Sequence, residues 1–344
     1  MIAPRSTGFK LLASLVTLLA FLVVTEGIVR LVGVDTYVQN RFFTLNRALD
    51  YPDVFKKDRT LFWRLRPDRD VTSLFFEGRT YHINSLGLRG DEVSDVKNKM
   101  RVVALGNSCT FGWGIPDGQT FCDRLQDMLG ESFNVINAGI PGYSTYQGMK
   151  FLQSDILKLH PDVLLVLFSW NDHWVAASGI ADKDQKFPPQ FIISVQNLLA
   201  QFHSYRLLKK ALLSSVEKNP DSLFDRSSPV YRVGLADFRA NLGAICDTAS
   251  AHGARPILMT SPIPQLSELP MTLMGLYRYH NRYNDVIREV AESKGVGLVD
   301  LAREFDSHEH LWDSVSHDWI HFNARGHLLA SQLIARYLMD SGGR

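Results

Sequence analysis

From Arg101 onward the chain alternates short apolar runs with helical stretches, and that alternation leaves few folds open. The runs are Val102–Leu105, Val135–Asn137, Val163–Phe168, Pro256–Thr260 and Gly297–Leu301. Between most of them lie segments such as FCDRLQDMLG, GMKFLQSDILKLH and HNRYNDVIREVAESKG, with apolar residues at helical spacing. Strands separated by helices pair in parallel, with crossover helices covering both faces of the sheet. The closing HLLASQLIARYLMD supplies one more helix for the same sheet. The expected fold is therefore an α/β protein: a three-layer α/β/α sandwich with a flavodoxin-like parallel sheet of about five strands.

Ahead of this domain the apolar residues concentrate in one place. Leu11 to Val29 reads LLASLVTLLAFLVVTEGIV, nineteen residues with one charge, Glu26, between Lys10 and Arg30. A stretch of about 20 apolar residues is what a helix needs to cross a bilayer. A cleaved signal peptide is the competing reading, since Arg5 and Lys10 precede the apolar core. No clear small-x-small cleavage site follows, and apolar character resumes at Leu31–Val34, so residues 1–34 read as an uncleaved anchor. Arg30 and Arg41 follow the span, which leaves a small charge bias; a short tail inside and the large domain outside is the expected topology. Glu26 lies near the end of the span, where snorkelling to the headgroups is the expected fate of its carboxylate.

Residues 35–100 are turn-rich and irregular, with room for a short hairpin among LFWRLRPDRD and YHINSLGLRGDEV, draped over the main domain at 101–344. Within that domain more than eighty residues separate Asp172 from Arg255 and include PPQFIISVQNLLAQFHSYRLLKKALLSSV. This reads as a helical insertion over about 175–254 leaving from the end of a strand, the edge at which open α/β sheets bind ligands. A lid or substrate wall and a decoration away from the site are both open readings. A net charge of +1 gives no electrostatic reason to expect nucleic-acid binding, and an apolar content of 45% excludes a disordered chain.

The chemistry-bearing residues sit just past the strand ends. Ser108 follows the first run in GNSCTFGWG, Gly139 the second in NAGIPGYS, and Asn171 the third in FSWNDHW. Parallel strands share a direction, so all three converge on one edge. HDWIHFNARGH near the C-terminus places Asp318 three residues before His321 and must return to the same edge. Taken singly, Ser108 is a helix N-cap and Asn171 and Asp172 are turn residues; taken together they point to nucleophilic catalysis.

These four blocks, GNSCTFGWG, NAGIPGY, WND and DWIH, resemble in order the motifs of the SGNH (GDSL) hydrolase superfamily over roughly residues 101 to 330. INSLGLRG and the apolar segment are also similar to membrane-anchored bacterial members of that group. The resemblance implies an ester hydrolase with Ser108 as nucleophile, His321 as base and Asp318 orienting the imidazole. It implies oxyanion donors at the backbone N–H groups of Ser108 and Gly139 and the amide of Asn171, with glycine at 139 letting substrate approach the backbone. No cofactor or metal is implied. The expected substrate is an O-acyl group, such as acetyl, on an envelope glycan or lipid, handled outside the inner membrane in the periplasm. An O-acyltransferase using the same triad, or a noncatalytic glycan-binding component of a membrane complex, are the alternatives; protein partners stay open. Two positions depart from the family pattern: Asn107 stands where aspartate is usual, and Ser169 where glycine is usual, so a different local backbone is expected there.

Competing motifs fail. The turn lacks the GK[ST] of a P-loop and the GxGxxG of a dinucleotide fold, and it reads GxSxT, not GxSxG. His317 and His321, four apart, lack the HExxH pattern of a zinc site. His327 reads as helix-start packing, and Cys109 as a small buried residue turned away from Ser108. Cys122 and Cys246 are either bridged or free buried thiols. Trp113, Trp170, Trp174 and Trp319, near the proposed site residues, fit an aromatic cleft or a packed core equally well, as do Tyr143 and Tyr146.

Overall fold

The computed structural model describes residues 7–33, 51–72, 78–93, 98–176, 179–213, 230–269, 271–315 and 318–341. The chain opens with helix α1 (Thr7–Val32), long and apolar enough to cross a membrane. Two antiparallel hairpins follow, β1 (Phe55–Asp58) with β2 (Phe62–Leu65) and β3 (Arg69–Thr72) with β4 (Thr80–Ile83). The α/β unit then runs β5 (Met100–Gly106), α2 (Ser108–Phe111), α3 (Phe121–Leu129), β6 (Phe133–Gly139), α4 (Thr145–Ser154) and β7 (Val163–Leu167). Helices α5 (Gln190–Leu199) and α6 (His203–Leu213) leave the sheet where the sequence marks an insertion. The core resumes with α7 (Leu235–Ala251), β8 (Arg255–Met259), α8 (Met274–Lys294), β9 (Gly297–Val299), α9 (Leu301–Phe305) and α10 (Ala324–Ser341).

Strand order is β6-β5-β7-β8-β9 with every neighbouring pair parallel, the flavodoxin-like order expected from the alternation. Each central strand is buried on both faces, which is why its sequence is an unbroken apolar run. Along β5, Val103 and Leu105 join the layer holding α4, α7 and α8, while Val102 and Ala104 join the layer holding α3, α9 and α10. Within the stretch expected as an insertion, α7 is thus the crossover helix from β7 to β8, and it contributes Phe238, Leu242 and Ile245 to the first layer.

Within the lead-in, the described residues 51–72 and 78–93 carry the two hairpins, while 35–50 lie outside the described residues. Hairpin β1–β2 plants Phe55, Phe62, Trp63 and Leu65 in the same layer as α4, and Arg64 forms a two-pronged ion pair with Asp155 (2.9 and 3.0 Å). Arg89 makes an isolated bridge to Asn137 on β6, so the lead-in covers part of the edge strand. The cysteines are free and buried, with Cys122 in one layer and Cys246 in the other, across the sheet from each other. Glu26 is held by protein partners, which the expectation of snorkelling did not include. Its carboxylate accepts from the backbone N–H groups of His203 and Ser204 (both 2.9 Å) and from Ser204 Oγ (2.7 Å), and it pairs with Arg30.

Candidate active site

The register of the sheet brings the site loops to one level. Gly106 at the end of β5 lies opposite Gly139 of β6 and Leu167 of β7. Beyond these ends stand Ser108, the Pro141–Tyr143 turn and the 169–173 turn. Two glycines make the tight approach possible. A Cβ on Gly106 would lie 2.0 Å from Thr110 Oγ1, and one on Gly139 would lie 2.1 Å from Phe111 N. Short helix α2 therefore folds back over both strand ends and presents Ser108 at its first position.

Asn107 is the N-cap of α2, accepting from Cys109 N at 2.9 Å, so the capping role falls on the residue before the serine. Ser108 Oγ lies 2.8 Å from His321 Nε2, and His321 Nδ1 lies 2.7 Å from Asp318 Oδ2, although 213 positions separate the serine from the histidine. Asp318 Oδ1 accepts from the N–H groups of Ile320 (2.9 Å) and His321 (3.0 Å). Burial alone would raise the Asp318 carboxyl; the His321 ring and these donors outweigh it and hold the group below the usual carboxylate range. An ionised Asp318 only accepts, so Nδ1 carries the proton and Nε2 accepts from the serine hydroxyl. That tautomer is the one able to take a proton from Ser108. Trp113 lies flat along the imidazole, with ring centroids 5.5 Å apart and planes at 22°.

Asn171 Nδ2 donates to Tyr143 O at 3.1 Å, which pins the third motif block to the second. An amide carries two N–H bonds, so this contact uses one of them. Gly139 is placed differently from the sequence expectation. Its N–H donates to Asn137 Oδ1 at 3.0 Å, and the space its missing side chain leaves is filled by the α2 backbone rather than open to a substrate. Three residues on, Gly142 adopts φ +83°, in the region that favours glycine. The carbonyl of Pro141 accepts from Trp63 Nε1 at 3.0 Å, so across the trans peptide the Gly142 N–H points away from the hairpin.

Ser169 has φ +138°, so the serine holds a backbone geometry that glycine adopts more readily instead of altering it. Behind it, Ser169 Oγ and His173 Nε2 approach His280 Nδ1 at 3.3 and 2.9 Å, and His280 Nε2 donates to Ser261 O at 2.8 Å. Burial pushes His280 down to about 4, which keeps the ring neutral. Asp172 is structural in its contacts, accepting from Thr145 N (2.8 Å) and Thr145 Oγ1 (2.5 Å) at the start of α4.

Two arginines hold the site loops and were not singled out from the sequence. Arg89, in INSLGLRG, is buried; its guanidinium donates to the carbonyls of Phe111 (2.9 Å), Gly112 (2.7 Å) and Ile115 (2.6 Å) and pairs with Asp117. It thereby clamps the C-terminal end of the helix that begins at Ser108. Arg232 donates to Gly142 O (2.8 Å) and Gln147 Oε1 (2.7 Å) while pairing with Asp182 (2.8 Å). A buried arginine with three carbonyl partners leaves no periodicity to read; only its position in INSLGLRG carried a signal.

The remaining expectations divide cleanly. Trp170 is core, packed against His280 at 4.1 Å, and Tyr143 is buried with its hydroxyl on Trp63 O at 2.6 Å. Trp319 packs on the second layer, and Tyr146 packs at a tilt against Phe62 in the first. Cys109 donates its thiol to Ile320 O (3.6 Å), away from Ser108; burial, then the Asp318 charge, raises its pKa far from thiolate character. His327 Nδ1 accepts from Phe121 N at 2.9 Å inside the second layer. Of the pair His317 and His321, His317 lies outside the described residues, and among those described there is no group of three potential metal ligands.

An uncharacterized lipoprotein, YqeF, of Bacillus subtilis (strain 168) is 25% identical over 223 residues, covering 59% of this chain and 71% of its own. The lipase/acylhydrolase from Enterococcus faecalis is similar at 21% identity, covering 70% of this chain and 95% of its own with a TM-score of 0.45. An acetylxylan esterase from Geobacillus stearothermophilus is similar at 16% identity, covering 71% and 96% with a TM-score of 0.46. A sequence profile of the GDSL-like lipase/acylhydrolase family matches residues 104–329, which include the serine turn, the asparagine turn and the histidine loop, and the chain belongs to that family.

Proposed function

We propose that the protein is a membrane-anchored serine esterase that removes a small O-acyl group, such as acetyl, from an envelope glycan or lipid. The observation that carries this reading is the hydrogen-bonded chain Asp318–His321–Ser108, at 2.7 and 2.8 Å. In the first half-reaction Ser108 Oγ attacks the ester carbonyl while its proton passes to His321 Nε2. The tetrahedral oxyanion collapses, the leaving alkoxide takes the proton back from His321, and an acyl-serine remains. Water then attacks the acyl-serine, giving its proton to His321, and the carboxylic acid departs with Ser108 regenerated. Asp318, ionised, stabilises the imidazolium formed in each half.

Developing negative charge on the carbonyl oxygen needs preorganised donors, each worth about 3–4 kcal/mol. We assign these to the Ser108 N–H at the start of α2, the second amide hydrogen of Asn171, and the Gly142 N–H in place of that of Gly139. What supports Gly142 is its turn, tied to Asn171 through Tyr143 O, and a Gly139 N–H already engaged by Asn137. In this reading α1 spans the inner membrane, with a short tail in the cytoplasm and the catalytic domain on the periplasmic side.

Labelling of purified protein with a fluorophosphonate tests the assignment. Wild type is expected to label at Ser108 and to turn over p-nitrophenyl acetate. Ser108→Ala and His321→Ala are each expected to lose at least about a thousandfold in rate. Wild-type rates in both folded variants would rule out the Ser108–His321 mechanism, and folded wild type that fails to label, with Ser108→Ala indistinguishable from it, would favour a binding role.

A further inference from the structure

Helices α5 and α6 carry their apolar residues on the wrong side for a soluble insertion. On α5, Ile193 is buried and Asn197 faces hairpin β1–β2, exchanging hydrogen bonds with Lys57 N (2.7 Å) and Lys57 O (2.9 Å). The opposite face shows Phe191 (69% exposed), Val195 and Leu198 (64%), at spacings of four and three that make one stripe along the helix, and exposed Phe202 follows just past its end. On α6, Leu208 (58% exposed) and Leu212 (66%) form a second outward row, with Arg206 and Lys209 on the same helix.

Where this stripe ends decides what covers it. Phe202 is next to His203, whose N–H is held by Glu26 of α1, as is that of Ser204. At 1.5 Å per residue, Lys10 to Arg30 spans about 30 Å, the thickness of a bilayer's hydrocarbon. Glu26 then lies about 6 Å inside the level of Arg30, within the roughly 5–10 Å to which interfacial helices sink. A carboxylate at that depth is costly unless hydrogen-bonded, and the two N–H groups and hydroxyl at the start of α6, with Arg30, supply those bonds. The beginning of α6 is thereby fixed at the boundary between hydrocarbon and headgroups.

We infer that α5 and α6 lie in the outer-leaflet interface of the membrane that α1 crosses, with Phe191, Leu198, Leu208 and Leu212 in contact with lipid. This inference rests on the anchored reading of α1. The bilayer is the occupant because the chain that follows the apolar stripe is bound directly to the membrane helix through Glu26 and because the basic residues of α6 suit anionic headgroups. Helix α5 grips hairpin β1–β2, whose Trp63 holds the Pro141 carbonyl, so membrane contact is coupled to the Gly142 turn. The enzyme is thus held against the surface on which an envelope lipid or a membrane-bound glycan would present its ester.

The test uses the full chain reconstituted into phosphatidylcholine–phosphatidylglycerol vesicles containing a nitroxide-labelled phosphatidylcholine. Leu15→Cys, Leu198→Cys, Leu212→Cys and, on α9, Glu304→Cys each receive a thiol-reactive fluorophore; the three native cysteines are buried, and labelled wild type is the blank. All altered positions are exposed, and thermal unfolding in detergent checks that each variant keeps the wild-type fold. Quenching at Leu15, Leu198 and Leu212 at least about threefold stronger than at Glu304 is the expected result. Strong quenching at Leu15 with Leu198 and Leu212 no different from Glu304 overturns the interfacial placement and leaves the anchor standing. Weak quenching at Leu15 overturns both. A disulfide-linked dimer through Leu198→Cys without lipid quenching identifies a second copy as the occupant and overturns the inference.

Discussion

Gly139→Ala separates the structural part of this site from the chemical part. The new Cβ would lie 2.1 Å from Phe111 N, 2.6 Å from Thr110 C and 2.7 Å from Phe111 Cα. These are backbone atoms of α2, so no side chain can swing aside. Restoring an ordinary carbon contact of about 3.5 Å requires about 1.4 Å of movement between the end of β6 and α2. Ser108 is the first residue of α2 and stands 2.8 Å from His321 Nε2, so a shift of that size breaks the contact. Overpacking costs about 1–3 kcal/mol of stability, and a misplacement of about 1 Å costs about 100-fold in rate. The expected variant folds with a lowered melting temperature and hydrolyses p-nitrophenyl acetate about 100-fold more slowly in kcat, measured per mole of folded protein, with KM little changed. The alanine retains the Gly139 N–H, so the loss reports displacement and not a missing donor. A variant with wild-type melting temperature and a rate within about threefold of wild type would refute the close-packing argument.

Three further outcomes follow from the same geometry. Arg89→Met strands the carbonyls of Phe111, Gly112 and Ile115, while half-exposed Asp117 is rehydrated; a loss of about 3–5 kcal/mol in chemical denaturation is expected. Burial pushes the Asp172 carboxyl up to about 7 against the Thr145 hydrogen bonds. In the unfolded chain the same group ionises near pH 4, so the folded state holds the extra proton between about pH 4 and 7 and stability falls as pH rises through that window. Asp172→Asn should flatten this decline in melting temperature between about pH 4 and 7; an unchanged slope would remove Asp172 as its source. Native protein should resist iodoacetamide at neutral pH, since all three thiols are buried and shifted upward; labelling of Cys109 without unfolding would contradict its burial on the inner face of α2.

Much of the fold was legible because parallel strands buried on both faces must be apolar throughout, and helices between them must be amphipathic. The five runs read from the sequence fall within or overlap β5 to β9, and the two-face alternation along β5 is what a doubly covered sheet requires. The juxtaposition of Ser108 with His321 and Asp318 was legible for a related reason: strand direction dictates which edge a following loop occupies. In our reading the oxyanion role expected of Gly139 passes to Gly142, because a glycine in a motif says that space is needed and not which atoms take it. Here the α2 backbone takes it, and Asn137 takes the N–H.

Residue order along the chain thus carried whatever depends on local periodicity and on strand polarity: the sandwich, its edge of function, and the apolar N-terminal helix. Contacts between segments far apart carried the rest. Arg89 reaches the end of α2 across 22 positions, Arg232 reaches the Gly142 turn across 90, and Glu26 caps α6 across 177. No pattern in the chain marks such pairs, because a buried charge is defined by the partners that satisfy it, and those meet only when the layers close.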